Sequence, residues 1–149
     1  MEDGLRRTLR RSYSFEAVNA QPTGTTPTEP RQSFRVELSS PADGHAVVAL
    51  LGEVDLFTAP RFMEALLEAV DDGADRVTVD LSAVTFVDST ALGVLIAGSK
   101  RLQARSGTLD IVCPNQDVRR ILEITGLDRV LDIHSSSEQA VRAPRAEAD

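Results

Sequence analysis

The segment from Val77 to Leu95 constrains the fold more than any other part of the sequence, because it changes from strand-like to helix-like within a few residues. Two apolar runs, Val77–Leu81 and Val84–Val87, favour extended backbone. The triplet Asp88-Ser89-Thr90 follows, and the apolar residues behind it favour a helix. Asp, Ser and Thr commonly begin helices, since a side-chain oxygen accepts a free backbone N–H there. We therefore expect Ser89 to lie at the surface, where a buried strand gives way to a helix.

Ser89 has two interpretations at this position. A helix N-terminus favours negative charge, because free N–H groups and the helix dipole point toward it. The hydroxyl of Ser89 is therefore a candidate phosphate acceptor, whereas an ordinary helix cap is the simpler interpretation of the same triplet. The triplet alone leaves both interpretations open.

The residues before this segment predict two strands and a helix. Phe34–Leu38 alternates apolar and polar residues, as a half-exposed strand does, and Ala46–Leu51 is nearly all apolar, as in a buried strand. Turn-forming residues at 41–44 separate them, so the two strands should form an antiparallel hairpin. Thr58 is a good helix cap and predicts a helix that runs to about Val70.

The residues after the triplet continue the alternation of helices and strands. The helix that begins there should run to about Arg105, and a strand should follow at Thr108–Val112. A further helix is expected between 114 and 126, then a strand at Val130–Ile133 and a short helix at 138–142. The order β-β-α-β-α-β-α-β-α predicts an α/β fold, a small mixed sheet of four to five strands packed against about four helices.

The composition changes along the chain and suggests its domain organisation. Residues 1–32 are rich in Pro and Thr towards their end, and we expect a disordered N-terminal extension there. One folded domain should occupy residues 33–143, followed by a polar tail at 144–149. Arginines precede Ser12 and Ser14, as in some kinase substrates, although a solvated tail is the simpler interpretation.

Charge and composition exclude several classes of partner. The chain of 149 residues carries a formal net charge of −7, and aromatic residues make up 4% of it. Binding to nucleic acid or to an anionic membrane requires positive charge, and single strands also require stacked aromatic side chains. No apolar run is as long as a membrane span or resembles a signal-peptide core. We therefore expect a soluble, cytoplasmic protein that binds neither nucleic acid nor membranes.

The sequence predicts no catalytic, metal or cofactor site. His45 and His134 lack the spacing of metal ligands and are expected to be lone surface side chains. Cys113 follows an apolar strand and is expected to be a buried structural thiol. Ser89 lies in no nucleophile-elbow motif. We therefore expect a binding protein without a cofactor of its own, and not an enzyme.

Two motifs resemble the STAS family of anti-sigma factor antagonists. Residues 86–95, FVDSTALGVL, resemble a signature in which an apolar pair precedes Asp-Ser-[Ser/Thr]-Gly-Leu-Gly and the Ser is phosphorylated. Residues 52–59, GEVDLFTA, fill every position of a second signature, whose Asp is Asp55. Ala91 stands where the family usually has Gly, which should firm the first helical turn without removing the acceptor.

The resemblance implies a STAS fold from Phe34 to Val141, with Ser89 as the phosphorylated residue. It also implies that Asp55 lies near Ser89 and helps a partner kinase to engage it. The expected partner-binding residues are Asp55, Thr58, Asp88, Thr90, Leu92, Gly93 and Leu95. The apolar residues of the Ser89 helix lie on more than one face, so the surplus either belongs to this surface or is covered by another element.

The resemblance further implies a partner, an anti-sigma factor that is also a serine kinase and binds ATP. The unphosphorylated antagonist would bind this kinase and so release a sigma factor. Phosphorylation of Ser89 would end the binding, and a separate serine phosphatase would restore it. The alternatives are a non-switching accessory subunit of a transporter, a stressosome-type scaffold, or an enzyme with Ser89 as its nucleophile. The intact Asp-Ser-Thr pattern favours the antagonist.

Overall fold

Six strands form one mixed sheet in a computed structural model, which describes residues 34–136 and the backbone of residues 10–15. The strands are β1 (Arg10–Phe15), β2 (Phe34–Ala42), β3 (His45–Val54), β4 (Arg76–Val87), β5 (Thr108–Val112) and β6 (Asp132–His134). The helices are α1 (Ala59–Asp71), α2 (Ser89–Gln103) and α3 (Gln116–Ile124), and a 3-10 turn spans Leu127–Arg129. The strands lie side by side in chain order.

The direction of strand pairing changes at β3. Strands β1, β2 and β3 pair antiparallel, whereas β3, β4, β5 and β6 pair parallel. A tight turn joins β2 to β3, and its Gly44 adopts a φ of 76°, which residues with a side chain rarely adopt. Parallel neighbours need a crossover, and α1, α2 and α3 provide the three crossovers. The loops that lead into α1 and α2 therefore lie at the same end of the sheet, where the parallel strands finish.

The hydrophobic core lies between the helices and one face of the sheet. Along β3, Ala46, Val48 and Leu50 are buried, while the residues between them are only half-buried. Phe62 and Leu66 of α1 belong to the same cluster of buried side chains, as do the buried residues of α2 and α3. Full burial of one such large apolar side chain contributes about 1.5–3 kcal/mol to stability. This alternation fixes which face of each strand meets the helices.

The opposite face of the sheet carries a buried polar network centred on Asp110. Its carboxylate accepts hydrogen bonds from Arg76 Nη2 at 2.7 Å, from Thr78 Oγ1 at 2.7 Å and from His134 Nε2 at 3.0 Å. His45 Nε2 lies 2.8 Å from the same Thr78 hydroxyl. A buried carboxylate requires such partners, because water no longer solvates its charge. The network therefore links β3, β4, β5 and β6 through side chains as well as through the backbone.

The expectation that both histidines are lone surface side chains is wrong. His45 is bound to Thr78, and His134 to Asp110, in this network. The cause is strand alignment, since Thr78 pairs directly with Asp110 and the neighbouring strands bring the histidines within reach. Separation along the chain conceals these contacts, so the spacing of the histidines gave no indication of them. The buried position expected for Cys113 is confirmed.

The predicted α/β class is confirmed, but two elements differ from expectation. The two apolar runs around residues 77–87 form a single strand, β4, whose alignment with β3 shifts between Ala49 and Leu51 and again near Gly52. Val130 does not begin a strand and is 69% exposed. The chain is still turning there, because the Val130 N–H donates to the Leu127 carbonyl, and β6 begins two residues later.

The N-terminal segment contributes a strand within the region expected to be disordered. Residues 10–15 form β1, which pairs antiparallel with β2 at the edge of the sheet, beside the five strands β2 to β6. The rest of that region and the short helix expected at 138–142 lie outside the described residues. Within the described part of the chain, no helix has the length and apolarity needed to cross a membrane.

Candidate partner-binding site around Ser89

The candidate site forms where the parallel strands β3 and β4 end together. Val54 and Val87, the last residues of the two strands, pair directly with each other. The backbone N–H of Asp88 also donates to the Val54 carbonyl at 3.2 Å, which extends the pairing by one residue. The loop between β3 and α1 therefore lies beside the first turn of α2, and residues far apart in sequence meet here.

Asp88, and not Ser89, caps helix α2. Asp88 has an extended backbone, and its Oδ1 accepts hydrogen bonds from the N–H groups of Thr90 at 2.8 Å and Ala91 at 3.2 Å. These are two of the N–H groups that a helix leaves without a backbone partner at its start. Ser89 is the first residue of the helix and is exposed. Since another side chain provides the cap, the Ser89 hydroxyl is not needed to hold the helix.

The second carboxylate oxygen of Asp88 contacts the neighbouring loop. Asp88 Oδ2 accepts a hydrogen bond from the backbone N–H of Leu56 at 3.1 Å. One side chain thus binds the start of α2 with one oxygen and the loop between β3 and α1 with the other. Hydrogen bonds of this kind to a charged acceptor are stronger than those between neutral groups.

Asp55 and Thr58 organise the same loop from within. Asp55 Oδ1 accepts hydrogen bonds from the N–H groups of Phe57 at 2.9 Å and Thr58 at 3.1 Å. The Thr58 hydroxyl donates to the Glu53 carbonyl at 2.9 Å and accepts from the Asp55 N–H at 2.9 Å. Thr58 occupies the cap position of α1 as predicted, although its side chain makes no cap hydrogen bond. The carboxylate of Asp55 therefore fixes the shape of the loop.

Three of the residues expected to bind a partner are buried. Thr58 lies inside its loop, and Leu92 and Leu95 lie in the core, where Leu95 is only 1% exposed. Their burial leaves little of these side chains for a partner to contact. Gly93 is exposed, with open space where a Cβ would lie, and Thr90 is half-buried beside Ser89. The apolar surplus of α2 is thus divided, since Leu92 and Leu95 are covered whereas Ile96 is 40% exposed.

The exposed apolar residues of the site were missed by the sequence analysis. Leu56 is 63% exposed and Phe57 is 71% exposed, both in the loop held by Asp55 and Asp88. Phe86 is 46% exposed near the end of β4. Exposed large apolar side chains beside one another are typical of protein-binding surfaces. The available signal was the pair Leu56-Phe57 directly after a strand end, within a loop whose polar residues bind its own backbone.

The groups around Ser89 differ in kind from the polar network and the buried thiol elsewhere in the described part of the chain. Among residues 34–136 there is no group of three His, Cys, Asp or Glu side chains that could hold a metal ion. The two histidines belong to the Asp110 network on the polar face of the sheet. Burial raises the pKa of the Cys113 thiol above its ordinary value, which keeps it neutral and poorly reactive. What the site presents is an exposed hydroxyl, two carboxylates and apolar side chains.

Comparison with known proteins finds one family along most of the folded region. The family model described as "STAS domain" matches residues 40–140. The anti-sigma-B factor antagonist of Bacillus subtilis (strain 168) is 34% identical over 95 residues, which cover 64% of this chain and 86% of that protein. The anti-sigma-F factor antagonist RsfB of Mycobacterium tuberculosis (strain H37Rv) is 34% identical over 103 residues, covering 69% of this chain and 84% of the relative.

A solved structure agrees with these matches in fold and in sequence. The crystal structure of an anti-sigma factor antagonist from Mycobacterium paratuberculosis is similar with a TM-score of 0.67 and 30% sequence identity. The similarity covers 72% of this chain and 91% of that one. The family-model match over residues 40–140 includes both loops of the site around Ser89. The chain belongs to the STAS domain family, and its relatives are named as anti-sigma factor antagonists.

Proposed function

We propose that this protein is an anti-sigma factor antagonist whose binding to an anti-sigma factor is ended by phosphorylation of Ser89. The observation that carries the proposal is an exposed hydroxyl, not needed as a helix cap, that follows directly after Asp88, whose Oδ2 binds the backbone of the exposed pair Leu56-Phe57. A partner that docks on the apolar pair would therefore also approach the hydroxyl. The names of the relatives, which are antagonists of anti-sigma factors, support the choice of partner.

The partner in this proposal is a serine kinase that brings its own ATP. The Ser89 oxygen attacks the γ-phosphorus of ATP, and the bond from that phosphorus to the oxygen bridging it to the β-phosphorus breaks. ADP leaves, and a base on the kinase takes the hydroxyl proton. The antagonist contributes only the acceptor and the surface that positions it, so we assign no catalysis and no cofactor to this chain. Because ATP is the phosphoryl donor, we place the reaction in the cytoplasm.

Phosphorylation weakens the complex through charge and bulk. The phosphoryl group adds about −1.5 to −2 charges and three acceptor oxygens. It stands next to Asp88 and close to the loop of Asp55, so like charges accumulate in the centre of the surface. A loss of about 3 kcal/mol in binding free energy weakens the affinity by roughly two orders of magnitude.

Phosphorylation and dephosphorylation of Ser89 together form a cycle. The unmodified antagonist occupies the anti-sigma factor, which releases a sigma factor for transcription. Phosphorylation returns the anti-sigma factor to the sigma factor, and a serine phosphatase hydrolyses the ester with water, which yields inorganic phosphate and the free hydroxyl of Ser89. The state of one side chain thereby sets how much sigma factor is free.

The direct test is incubation of the full chain with the anti-sigma factor kinases of its own genome and ATP. We expect one kinase to raise the intact mass by a single phosphoryl group that maps to Ser89, and Ser89→Ala to remain unmodified. The matched control is Ser82→Ala, since Ser82 is also an exposed serine, but it lies within β4. Modification that persists in Ser89→Ala, or binding to the kinase that phosphorylation leaves unchanged, would contradict the proposal.

A further inference from the structure

Asp88 connects two parts of the site that have different tasks. Its Oδ1 accepts from the N–H groups of Thr90 and Ala91 at the start of α2, and its Oδ2 accepts from the Leu56 N–H at 3.1 Å. The first part carries the hydroxyl of Ser89, and the second carries the exposed apolar pair. The carboxylate of Asp88 is therefore placed to transmit a change at one part to the other.

A phosphoryl group on Ser89 would compete with this carboxylate. Phosphate groups bind the free N–H groups of a helix start, and in α2 two of those groups are already bound to Asp88. Ser89 directly follows Asp88, so the phosphoryl charge of about −1.5 to −2 stands beside the carboxylate. Repulsion and competition for the same donors both favour movement of the Asp88 side chain away from its present position.

We propose that Asp88 is a positioning residue that holds Leu56, the first residue of the exposed apolar pair, in place for the partner, and that phosphorylation of Ser89 releases Leu56 by displacing the Asp88 carboxylate. The inference rests on the proposed role of Ser89 as the acceptor. It assigns phosphorylation a second effect, the loss of an ordered apolar contact, in addition to charge at the modified residue. The released Leu56 would have to be ordered again whenever the partner binds.

Two other amides in the same loop, those of Phe57 and Thr58, serve as an internal reference for the Leu56 amide. Asp55 Oδ1 accepts from the N–H groups of Phe57 and Thr58, and these bonds do not involve Asp88. Release through Asp88 should therefore affect the Leu56 amide far more than the next two amides. General loosening of the loop would affect all three alike.

The variant Asp88→Asn separates the two tasks of the side chain. Asparagine keeps one acceptor oxygen and is as good a helix cap as aspartate, so the start of α2 is retained. Its second terminal atom is an NH₂ group, which cannot accept the Leu56 N–H. The matched control is Asp80→Asn, because Asp80 lies on β4, outside the site, and likewise accepts a local N–H, that of Ser82 at 2.9 Å. Both variants remove one negative charge.

The experiment measures amide hydrogen exchange by NMR on the full chain, with phosphoserine installed at position 89 during translation. We expect the Leu56 amide to exchange about tenfold faster in the phosphorylated form, the factor associated with losing one hydrogen bond to a charged group. The amides of Phe57 and Thr58 should change less than about twofold. Unphosphorylated Asp88→Asn should reproduce the acceleration at Leu56, and Asp80→Asn should not.

The decisive result comes from combining phosphoserine at position 89 with the substitution Asp88→Asn. In Asp88→Asn, phosphoserine should produce no further acceleration at Leu56, because the bond it breaks is already absent. The proposal is overturned if phosphoserine leaves the Leu56 rate unchanged, accelerates all three loop amides equally, or acts fully in Asp88→Asn. No partner takes part in this measurement, so its outcome is independent of whether the chain binds an anti-sigma factor.

Discussion

Gly98 of α2 lies directly against Leu66 of α1, with no room for a side chain between them. A Cβ atom built on Gly98 would overlap Leu66 Cδ2 and would lie 3.4 Å from Leu109 Cδ1 of β5. Leu66 is fully buried in the core and cannot move aside without disturbing its neighbours. The close approach of the two helices therefore depends on a glycine at this position.

The two glycines within α2 should respond in opposite directions to substitution by alanine. Gly98→Ala should lower the free energy of unfolding by about 1–3 kcal/mol, because the added methyl group overpacks the core. Gly93→Ala should raise it by up to about 1 kcal/mol, since its Cβ would meet no atom within 4 Å and alanine favours helix. Urea unfolding of both variants checks this. A stabilised Gly98→Ala would show that the helices can move apart freely.

Substitutions at Ser89 and Asp88 should differ in their effect on stability. Ser89→Ala should change the free energy of unfolding by less than about 0.5 kcal/mol, because Asp88 provides the cap. Asp88→Ala should cost about 1–2 kcal/mol, since it removes the cap and the bond to Leu56. Thermal and urea unfolding measure both effects. Equal losses of stability in the two variants would mean that the Ser89 hydroxyl also has a structural role.

The exposed pair Leu56-Phe57 should contribute to partner binding and little to folding. Phe57→Ala should weaken binding of the anti-sigma factor by about 2 kcal/mol or more, as central aromatic residues of interfaces do. The free energy of unfolding of Phe57→Ala should stay within about 0.5 kcal/mol of that of the original protein, because the side chain is largely exposed.

The matched control for Phe57→Ala is Ile124→Ala. Ile124 is also a large, exposed apolar residue, but it lies at the end of α3, outside the Ser89 site. Titration calorimetry should find its affinity for the anti-sigma factor unchanged. If Ile124→Ala weakened binding as much as Phe57→Ala, the docking surface would have been assigned to the wrong part of the molecule.

The Asp110 network should be far more important for stability than any surface ion pair. Asp110→Ala should destabilise the protein by about 3 kcal/mol or more, because it leaves the buried Arg76 without this carboxylate. Glu64→Ala, which breaks an exposed pair with Arg61 at 3.6 Å, should cost less than about 1 kcal/mol. Urea unfolding at neutral pH compares the two. Similar small losses would mean that solvent reaches the network easily.

The sequence predicted local features well wherever the chemistry is local. The strand before Asp88, the helix after it and the turn at Gly44 follow from apolar runs, caps and turn residues that act on their own neighbours. The exposed position of Ser89 follows for the same reason. What the pattern could not decide was which residue caps α2, because Asp, Ser and Thr all favour that position.

The features that depend on contacts between distant elements were not predictable in the same way. The apolar side chains Leu92 and Leu95 match a docking surface as well as a core, and only the packing of α2 against the sheet and α1 distinguishes them. The exposure of Leu56 depends on two carboxylates that hold its loop, one of them from another strand end. Sequence patterns contain no information of this kind at these positions.

The polar face of the sheet has a consequence for how the chain selects its native arrangement. If β5 slid by one residue relative to β4, Asp110 would turn toward the apolar layer beneath the helices, without Arg76, Thr78 or His134 to meet its charge. A slide of β5 by one residue in either direction is thereby penalised, because it buries a carboxylate without its partners. The Asp110 network therefore favours the native alignment of these strands over the adjacent ones.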